Sequence, residues 1–273
     1  MTEPGDTMFG DSALVVAHPD DDILWLSSVI ERMGSIIFCF NDYPPNPDIG
    51  VARKNTIAEY PLPNVSTLDI DEPESFDKAD WKRPVTTGYG LRLSRDEAAD
   101  SRYQQTFDRL VCRLKDKVAD RKNVFTHNPW GEYGNEDHVL VYRALKTLQS
   151  EFHYDLWFSN CCSNRSVNLM NRYISGFEPD YICLPANIPL AREIADIYRK
   201  HGCWTWYEDY RWFEQECLMR EAPSTDRPEA LAYGHNFPVN YIKIHIESRT
   251  PEPEPDPFIK MARSLKRKLQ KAL

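Results

Sequence analysis

The sequence predicts an α/β fold: a Rossmann-like, mostly parallel sheet with helices on both faces and a less regular C-terminal part. Short apolar runs alternate with longer amphipathic segments over roughly the first 160 residues, which is the pattern of a parallel sheet covered by helices. A chain of 273 residues is long enough to bury a core in one large domain or two small ones. These observations favour a soluble, globular protein.

The first strand and helix are predicted from an apolar run followed by three aspartates. Residues 12–17 form a short buried strand that stops at His18-Pro19. A helix begins near Asp20, because consecutive acids suit an N-cap and a first helical turn. Apolar spacing carries this helix to Met33, and Gly34 ends it.

The remaining elements continue the alternation and then become irregular. We predict strands at 35–40, 65–70, 124–127 and 154–159, and helices at 51–60, 95–118 and 137–150. The polar segment 71–94 reads as an insertion over the surface. Beyond residue 160 we predict a strand at 181–184, helices at 190–201 and 207–220, and a late strand at 241–246.

The C-terminal region differs in composition from the rest of the chain. We predict one domain over 1–249, a stiff linker of alternating proline and acid over 250–257, and a basic amphipathic helix over 258–273. The tail carries +6, which leaves −15 on the remainder of a chain whose net charge is −9. Such a helix suits peripheral contact with an anionic membrane, or packing on the acidic body or on a partner subunit.

Several classes are excluded or disfavoured by composition. No apolar run approaches a membrane span, and the polar N-terminus lacks a signal region, so we expect an intracellular, cytoplasmic protein, with the tail as its contact with the inner face of the membrane. The seven cysteines lack paired spacing and are expected to be reduced. The acidic body argues against a nucleic-acid partner. No Gly-x-Gly-x-x-Gly follows the first strand, which disfavours a dinucleotide-binding protein.

Two loops are dense in chemically active residues: 17–22 (AHPDDD) and 126–138 (THNPWGEYGNEDH). Each follows a strand and opens a helix, so both face the rim where ligands bind in open parallel sheets. Adjacent carboxylates repel one another unless a cation neutralises them. His18, Asp21 and His138 together would supply three ligands, which suits Zn²⁺ and also Fe²⁺ or Co²⁺. The alternative is that the acids only cap a helix and that both histidines are ordinary local residues.

These two loops resemble the signatures of a known family. AHPDDD is similar to the AHPDDE signature of the LmbE-like or PIG-L-like N-deacetylases, and GEYGNEDHVLVYRAL is similar to their second signature, which ends in Asp-His at a helix start. The resemblance covers roughly residues 12–160. It implies zinc at His18, Asp21 and His138 and a general base at Asp20. It also implies removal of acetyl from an N-acetylglucosamine-type sugar that is free, nucleotide-linked, lipid-linked or part of an oligosaccharide.

The resemblance also assigns roles around the metal, with two departures. Tyr133 matches a tyrosine that stabilises the oxyanion. Asn135 stands where many members carry a histidine that acts as general acid; an amide cannot donate and recover a proton, although it can hydrogen-bond an oxyanion. Asp20 would then serve as both base and acid, or His127 would contribute. Asp22 replaces the usual glutamate. A catalytically weak or inactive sugar-binding relative is the alternative reading.

The candidate substrate contacts are five residues: Arg53, His127, Asp42, Trp130 and His235. Arg53 lies roughly where the family has a substrate-binding arginine, but it also fits a plain surface residue. Asp137 fits a helix cap and a partner that orients a neighbouring residue. The aromatic segment 201–213 would stack on sugar rings or pack between helices.

Overall fold

A computed structural model describes residues 9–174, 180–221 and 238–245. Strands and helices alternate along these residues. In chain order they are β1 (Ser12–Val16), α1 (Asp21–Trp25), β2 (Ser35–Asp42), α2 (Pro47–Ala58), β3 (Val65–Asp71), β4 (Thr86–Thr87), β5 (Gly90–Leu91), α3 (Glu97–Val118), β6 (Asn123–Thr126), α4 (Glu136–Phe152), β7 (Asp155–Ser159), β8 (Cys162–Ser163), α5 (Val167–Ile174), β9 (Asp180–Pro185), α6 (Ile188–His201), β10 (Gln215–Arg220) and β11 (Tyr241–Ile242).

Seven strands form the central sheet in the order β3-β2-β1-β6-β7-β10-β9. Neighbours from β3 to β7 pair in parallel, and β10 pairs antiparallel with both β7 and β9. The predicted mostly parallel sheet is therefore confirmed. From β1 the chain adds β2 and β3 on one side of the sheet, and it then adds β6 and β7 on the other side of β1. The strand order therefore reverses between β1 and β6. Ligands bind at such a switch point in open α/β sheets.

The central strand β1 separates two apolar cores. Its side chains alternate, so that Ala13 and Val15 belong to one core while Leu14 and Val16 belong to the other. The first core includes residues of α3 and α4, and the second includes residues of α1, α2 and α6. Helices thus cover both faces of the sheet, as the sequence predicts.

The helix predicted from Asp20 to Met33 is wrong in length. Helix α1 ends at Trp25, and only a single 3₁₀ turn, Ile30–Arg32, follows it. The cause is a carboxylate distant in sequence. Glu216 accepts hydrogen bonds from the backbone N–H groups of Ser27 and Ser28 and from the Ser27 hydroxyl. Because Glu216 satisfies the N–H groups of Ser27 and Ser28, these residues do not need helical hydrogen bonds. Apolar spacing alone could not predict this end of the helix.

The helix predicted at 207–220 is also wrong. Residues 203–214 contain only turns and irregular backbone, and Gln215–Arg220 is strand β10 between β7 and β9. Aromatic side chains hold the irregular part in place: Trp212 donates from Nε1 to the carbonyl of Ile23, and the Tyr210 hydroxyl donates to that of Leu24. Tertiary contacts therefore override the apparent helical spacing.

The segment 71–94 lies less on the surface than its polarity predicts. It contains the two-stranded β4–β5 ribbon, and Ser75, Ala79, Leu91 and Leu93 are buried. Other predicted elements agree with the structure to within a few residues, except that α2 begins at Pro47 and β11 spans only Tyr241–Ile242. All seven cysteines are free thiols.

The described residues up to 243 belong to one compact unit, and residues 244–245 are assigned to a second. The predicted linker 250–257, the basic tail 258–273 and His235 lie outside the described residues. Within the described residues, no helix combines the length and the apolar character needed to cross a bilayer.

Candidate metal and catalytic site

The two motif loops meet at the carboxyl ends of β1 and β6. His18, Asp20 and Asp21 directly follow β1, and His127 follows β6. His138 lies in the first turn of α4, at the far end of the second loop. The strand-end placement that the sequence predicts brings these side chains to one point of the rim, where the strand order reverses.

His18, Asp21 and His138 offer ligand atoms that lie within 4.8 Å of one another. Nδ1 of His18 is 3.1 Å from Oδ2 of Asp21, and Nε2 of His138 is 3.1 Å from Oδ1 of the same carboxylate. Two imidazoles and one carboxylate form the donor set of many catalytic zinc sites, in which the fourth position is left to water or substrate. The three residues that the sequence assigns to the metal therefore share one buried cluster.

The donor atoms fit a divalent cation. Nε2 of His138 is buried and, among the described residues, makes no hydrogen bond of acceptable geometry despite its nearness to Asp21. Nε2 of His18 faces two further carboxylates, at 3.3 Å from Asp137 and 3.6 Å from Glu72. Burial alone would lower the pKa of His18, but Glu72, Asp137 and Asp21 outweigh it and raise that pKa to about 10. So much negative charge favours a cation at this point.

Glu132, which is not among the residues predicted for the site, holds two histidines in place. Its Oε2 lies 2.7 Å from Nδ1 of His138 and 3.2 Å from Nδ1 of His127, and its Oε1 accepts from the backbone N–H of Asn128. A carboxylate behind a ligating histidine fixes the ring and its tautomer. The sequence offered one signal for this role: Glu132 lies five residues after His127 and six residues before His138.

His127 is placed behind the metal ligands rather than toward a substrate. It is fully buried, stacks on His138 with ring centroids 3.8 Å apart, and its Nε2 accepts the backbone N–H of Ala17 at 2.8 Å. Burial and the neighbouring His138 lower the pKa of His127. With both ring nitrogens engaged, it has no free position for substrate or proton transfer, which corrects its assignment as a substrate contact.

Asp20 combines unusual backbone geometry with hydrogen bonds outside the three-ligand set. Its φ of 111° is in the left-handed region that aspartate seldom adopts. Its Oδ2 accepts from the hydroxyl of Thr205 at 2.6 Å and from the Thr205 backbone N–H at 3.2 Å. Burial, together with the charge of Asp21, raises the pKa of Asp20 to about 7. Thr205 was not predicted.

Asp22 supports the loop from beneath. Its carboxylate accepts hydrogen bonds from the hydroxyls of Tyr198 and Tyr60 and from the backbone N–H of Asp20. Aspartate has a shorter side chain than the glutamate that is usual at this position of the family signature. Here two tyrosine hydroxyls reach Asp22, so this carboxylate is fully engaged in positioning Asp20.

Tyr133 and Asn135 form a hydrogen-bonded pair beside His138. The Asn135 side-chain amide donates to the Tyr133 hydroxyl at 2.7 Å, while its carbonyl accepts the backbone N–H of Asp137 and caps α4. The Tyr133 ring meets that of His138 edge-on at 5.3 Å. Because the hydroxyl oxygen already accepts from Asn135, its own proton is available to a third group.

The other sequence-assigned substrate contacts lie in different environments. Arg53 is buried and its guanidinium pairs with Glu72, next to the His18 cluster. Asp42 is partly exposed and pairs with Lys54 on the surface. Trp130 is fully buried, donates to the carbonyl of Cys161 and packs on Phe158. Trp130 is therefore a core residue, and its assignment as a substrate contact is corrected.

Aromatic side chains surround Tyr133. Trp206 lies 4.8 Å from Tyr133 and 5.3 Å from the buried Trp25, measured between ring centroids. The ring of Phe76, from the segment after β3, lies 6.5 Å from that of Tyr133 and is half exposed. The aromatic segment after α6 thus packs against the second core and also borders the candidate site.

No protein-family model matches the sequence, and no curated protein matches it either. Among solved structures, a deacetylase from the teicoplanin biosynthesis pathway, in complex with teicoplanin, matches 77% of this chain and 97% of its own, with 11% identity and a TM-score of 0.46. The A40926 pseudoaglycone deacetylase Dbv21 matches 77% of this chain and 96% of its own, with 9% identity and a TM-score of 0.44. The zinc-inhibited form of teicoplanin deacetylase Orf2 covers 78% and 100%, with 11% identity and a TM-score of 0.46.

These likenesses are too loose to assign an activity to this chain. Membership of the LmbE-like or PIG-L-like family stays a prediction that rests on the two loop motifs.

Proposed function

We propose that this protein is a divalent-metal-dependent amidohydrolase that removes the acetyl group from an N-acetylated amino sugar. The observation that carries the proposal is the buried His18–Asp21–His138 cluster, in which Nε2 of His138 lacks a hydrogen-bond partner among the described residues. Zn²⁺ is the favoured ion, with Fe²⁺ and Co²⁺ as alternatives. Bound there, the ion would act as a Lewis acid that polarises the amide carbonyl and acidifies water.

Asp20 is the proposed proton carrier. Its carboxylate lies beside Asp21 in sequence but is held by Thr205, outside the three-ligand set. A carboxylate in this position would take a proton from the attacking water and return it to the leaving amine. Because His127 is engaged at both nitrogens, Asp20 would perform both transfers, and acetate would leave as the other product.

Tyr133 is the proposed partner of the developing oxyanion. The Asn135 amide donates to its hydroxyl oxygen, which leaves the phenolic hydrogen to donate toward charge formed next to His138. An oriented donor stabilises charge that develops in the transition state without reorganisation. In this proposal Asn135 orients the Tyr133 hydroxyl and caps α4, and it does not act as a general acid.

The aromatic surroundings of Tyr133 support a sugar as the substrate. The half-exposed ring of Phe76 and the ring of Trp206 offer faces on which the C–H face of a pyranose packs. Nε1 of Trp206 has no hydrogen-bond partner among the described residues. Arg53 and Glu72 add a charged pair next to His18.

The second candidate is a sugar-binding protein without catalysis. Asn135 favours it, because the amide replaces a titratable group and both of its ends are already engaged. Under this alternative the aromatic rings and the metal cluster would bind a glycan, and no acetate would form.

Acetate release separates the two candidates. Purified protein loaded with Zn²⁺, Fe²⁺ or Co²⁺ would be incubated with free, nucleotide-linked and lipid-linked N-acetylglucosamine and with chitooligosaccharides. We expect acetate from at least one of them, its loss in His18→Ala, and no change in His245→Ala, which removes an exposed histidine. Metal content would be measured on the same samples. Absence of stoichiometric metal in wild type, or equal activity in His18→Ala, would refute the proposal; metal and sugar binding without acetate would favour the binding protein.

A further inference from the structure

Two cysteines lie opposite each other at one edge of the central sheet. Strands β9 and β10 pair antiparallel, and in their register Cys183 of β9 is the direct partner of Cys217 of β10. Both are free thiols in this structure. Directly opposed residues of an antiparallel pair point to the same face of the sheet, so their side chains meet. The two thiols are therefore neighbours, although α6 separates them in the chain.

Backbone hydrogen bonds show which kind of antiparallel position this pair occupies. The carbonyl of Cys217 accepts the N–H of Asn160 at 3.0 Å, and Glu221, on the same side of the strand, donates to Leu156 of β7 at 2.8 Å. The backbone groups of Cys217 thus face β7 and not β9. Cys183 and Cys217 are a non-hydrogen-bonded pair, in which Cα atoms lie about 4.5 Å apart. Disulfides span Cα distances of about 4.4–6.8 Å, so the backbone already allows a bridge.

The two thiols are in contact and differ in access to solvent. Cys183 is exposed, whereas Cys217 is buried. Burial raises the pKa of the Cys217 thiol to about 12, and its hydrogen bond with the thiol of Cys183 contributes to this rise. A reagent in solution therefore meets Cys183 first, and the buried thiol lies directly behind it.

The other five cysteines do not form such a pair. Cys161 and Cys162 are adjacent in sequence, and the Cys203 sulfur lies 3.1 Å from the hydroxyl oxygen of Thr56. In the register of the described strands, Cys183 and Cys217 are the cysteines that face each other. Cys112, on α3, is exposed like Cys183 and provides a matched control.

We propose that Cys183 and Cys217 form a reversible disulfide when the protein meets a low-molecular-weight disulfide such as glutathione disulfide. The thiolate of Cys183 attacks one sulfur of the reagent, which forms a mixed disulfide and releases one molecule of thiol. The thiolate of Cys217 then attacks the sulfur of Cys183, which closes the protein disulfide and releases the second thiol. The two protein thiols lose two electrons and two protons, which convert the reagent to two thiols. The proposal is independent of the deacetylase function.

The disulfide would fasten the outer strand of the sheet. Among the described residues, β9 pairs only with β10. A bridge between them closes the loop that contains α6, and it restricts the unfolded chain. We expect the oxidised protein to melt roughly 5–10 °C above the reduced protein.

Peptide mapping of the full chain tests the proposal. The protein is incubated with glutathione disulfide at low protein concentration, free thiols are blocked with iodoacetamide, and tryptic peptides are identified by mass spectrometry. Trypsin releases Cys183 in peptide 173–192 and Cys217 in peptide 212–220, each with a single cysteine. We expect these two peptides joined by a disulfide in most of the wild-type chains, and separated again by dithiothreitol.

Variants separate the two steps. In Cys217→Ser the second thiol is missing, so Cys183 should accumulate as the glutathione adduct. In Cys183→Ser the exposed thiol is missing, so Cys217 should stay unmodified and the rise in melting temperature should disappear. Cys112→Ser removes the other exposed thiol and should change neither the linked peptides nor the melting temperature of the oxidised protein.

Three results would overturn the proposal. The first is the absence of the linked peptides from oxidised wild type. The second is a disulfide between two chains as the main product, seen as a dimer on a non-reducing gel, because Cys183 would then react between molecules. The third is an equal rise in melting temperature in Cys183→Ser, which would assign the stabilisation to other thiols.

Discussion

Oε2 of Glu132 lies 2.7 Å from Nδ1 of His138 and is shared with Nδ1 of His127. The backbone N–H of Ala17 donates to Nε2 of His127, so the proton of His127 must be on Nδ1. The same carboxylate oxygen draws the proton of His138 to its Nδ1. The lone pair of His138 Nε2 is thereby directed at Asp21, where the proposed cation would lie.

Replacing Glu132 by glutamine should weaken metal binding by roughly 10- to 100-fold. Both oxygens of Glu132 face donors, so the glutamine amide would oppose at least one N–H group and release a histidine ring. Affinity would be measured by competition with a chromophoric chelator. Unchanged affinity would contradict the role assigned to Glu132.

A matched control exists for this substitution. Glu216 is also buried, and its two oxygens likewise face donors, from Ser27 and Ser28. Glu216→Gln therefore reproduces the chemical change away from the three metal ligands and should leave metal affinity unchanged while lowering stability.

Asn135→Asp should lower kcat about 100-fold or more, with little change in KM. Aspartate keeps the cap on α4 but replaces the amide donor with an acceptor, so the Tyr133 hydroxyl would turn its proton toward residue 135. The free energy of unfolding should stay close to that of wild type, because the cap is retained.

The double variant tests whether Asn135 acts through Tyr133. Tyr133→Phe alone should produce a similar loss, and the two substitutions combined should cost little more than either one. Additive losses, or a faster enzyme with Asn135→His than with Asn135, would show that residue 135 acts by proton transfer instead.

The sequence predicted the parts of the site that lie at the end of a strand or at the start of a helix. His18, Asp20 and Asp21 follow one strand directly, and His138 opens a helix, so strand-end placement was enough to bring them together. The central strands were predicted for the same reason: each is a short apolar run between polar loops.

Long-range contacts could not be predicted in this way. The early end of α1 depends on Glu216, 188 to 189 residues away from the serines it binds. His127 looked like a free histidine because its partner is the backbone N–H of Ala17, 110 residues earlier. Thr205 reaches Asp20 from an irregular segment 185 residues later in the chain. Hydrophobic periodicity indicates which face of a local element is apolar. It does not identify the distant hydrogen-bond donor that contacts this element in the fold.

The contribution of Glu216 to stability should depend on pH. Burial raises the pKa of Glu216 above its usual 4.5. The unfolded chain therefore releases this proton first as the pH rises, and the stability that wild type gains from the carboxyl is complete below about 4.5 and is lost as the pH passes the folded-state pKa.

Urea unfolding of wild type and Glu216→Gln would measure this dependence. The variant should be less stable by about 1–3 kcal/mol near pH 5, because its amide faces serine donors, and the difference should shrink toward pH 8. Glu193→Gln, which changes an exposed carboxylate, corrects for the loss of one charge. A difference that grows with pH would show that the folded protein favours ionised Glu216.

Phe76→Ala should raise KM for an N-acetylated sugar roughly 2- to 10-fold while leaving kcat nearly unchanged. The ring is half exposed and lies 6.5 Å from Tyr133, so its loss removes a contact with bound sugar without disturbing a core. A short N-acetyl amine without a sugar ring should show no change in KM. Val85→Ala, which shortens an exposed apolar side chain in the β4 region, is the control. If both substrates were affected equally, Phe76 would act on the acetyl group or on the fold, and the aromatic rings would lose their role in selecting a sugar.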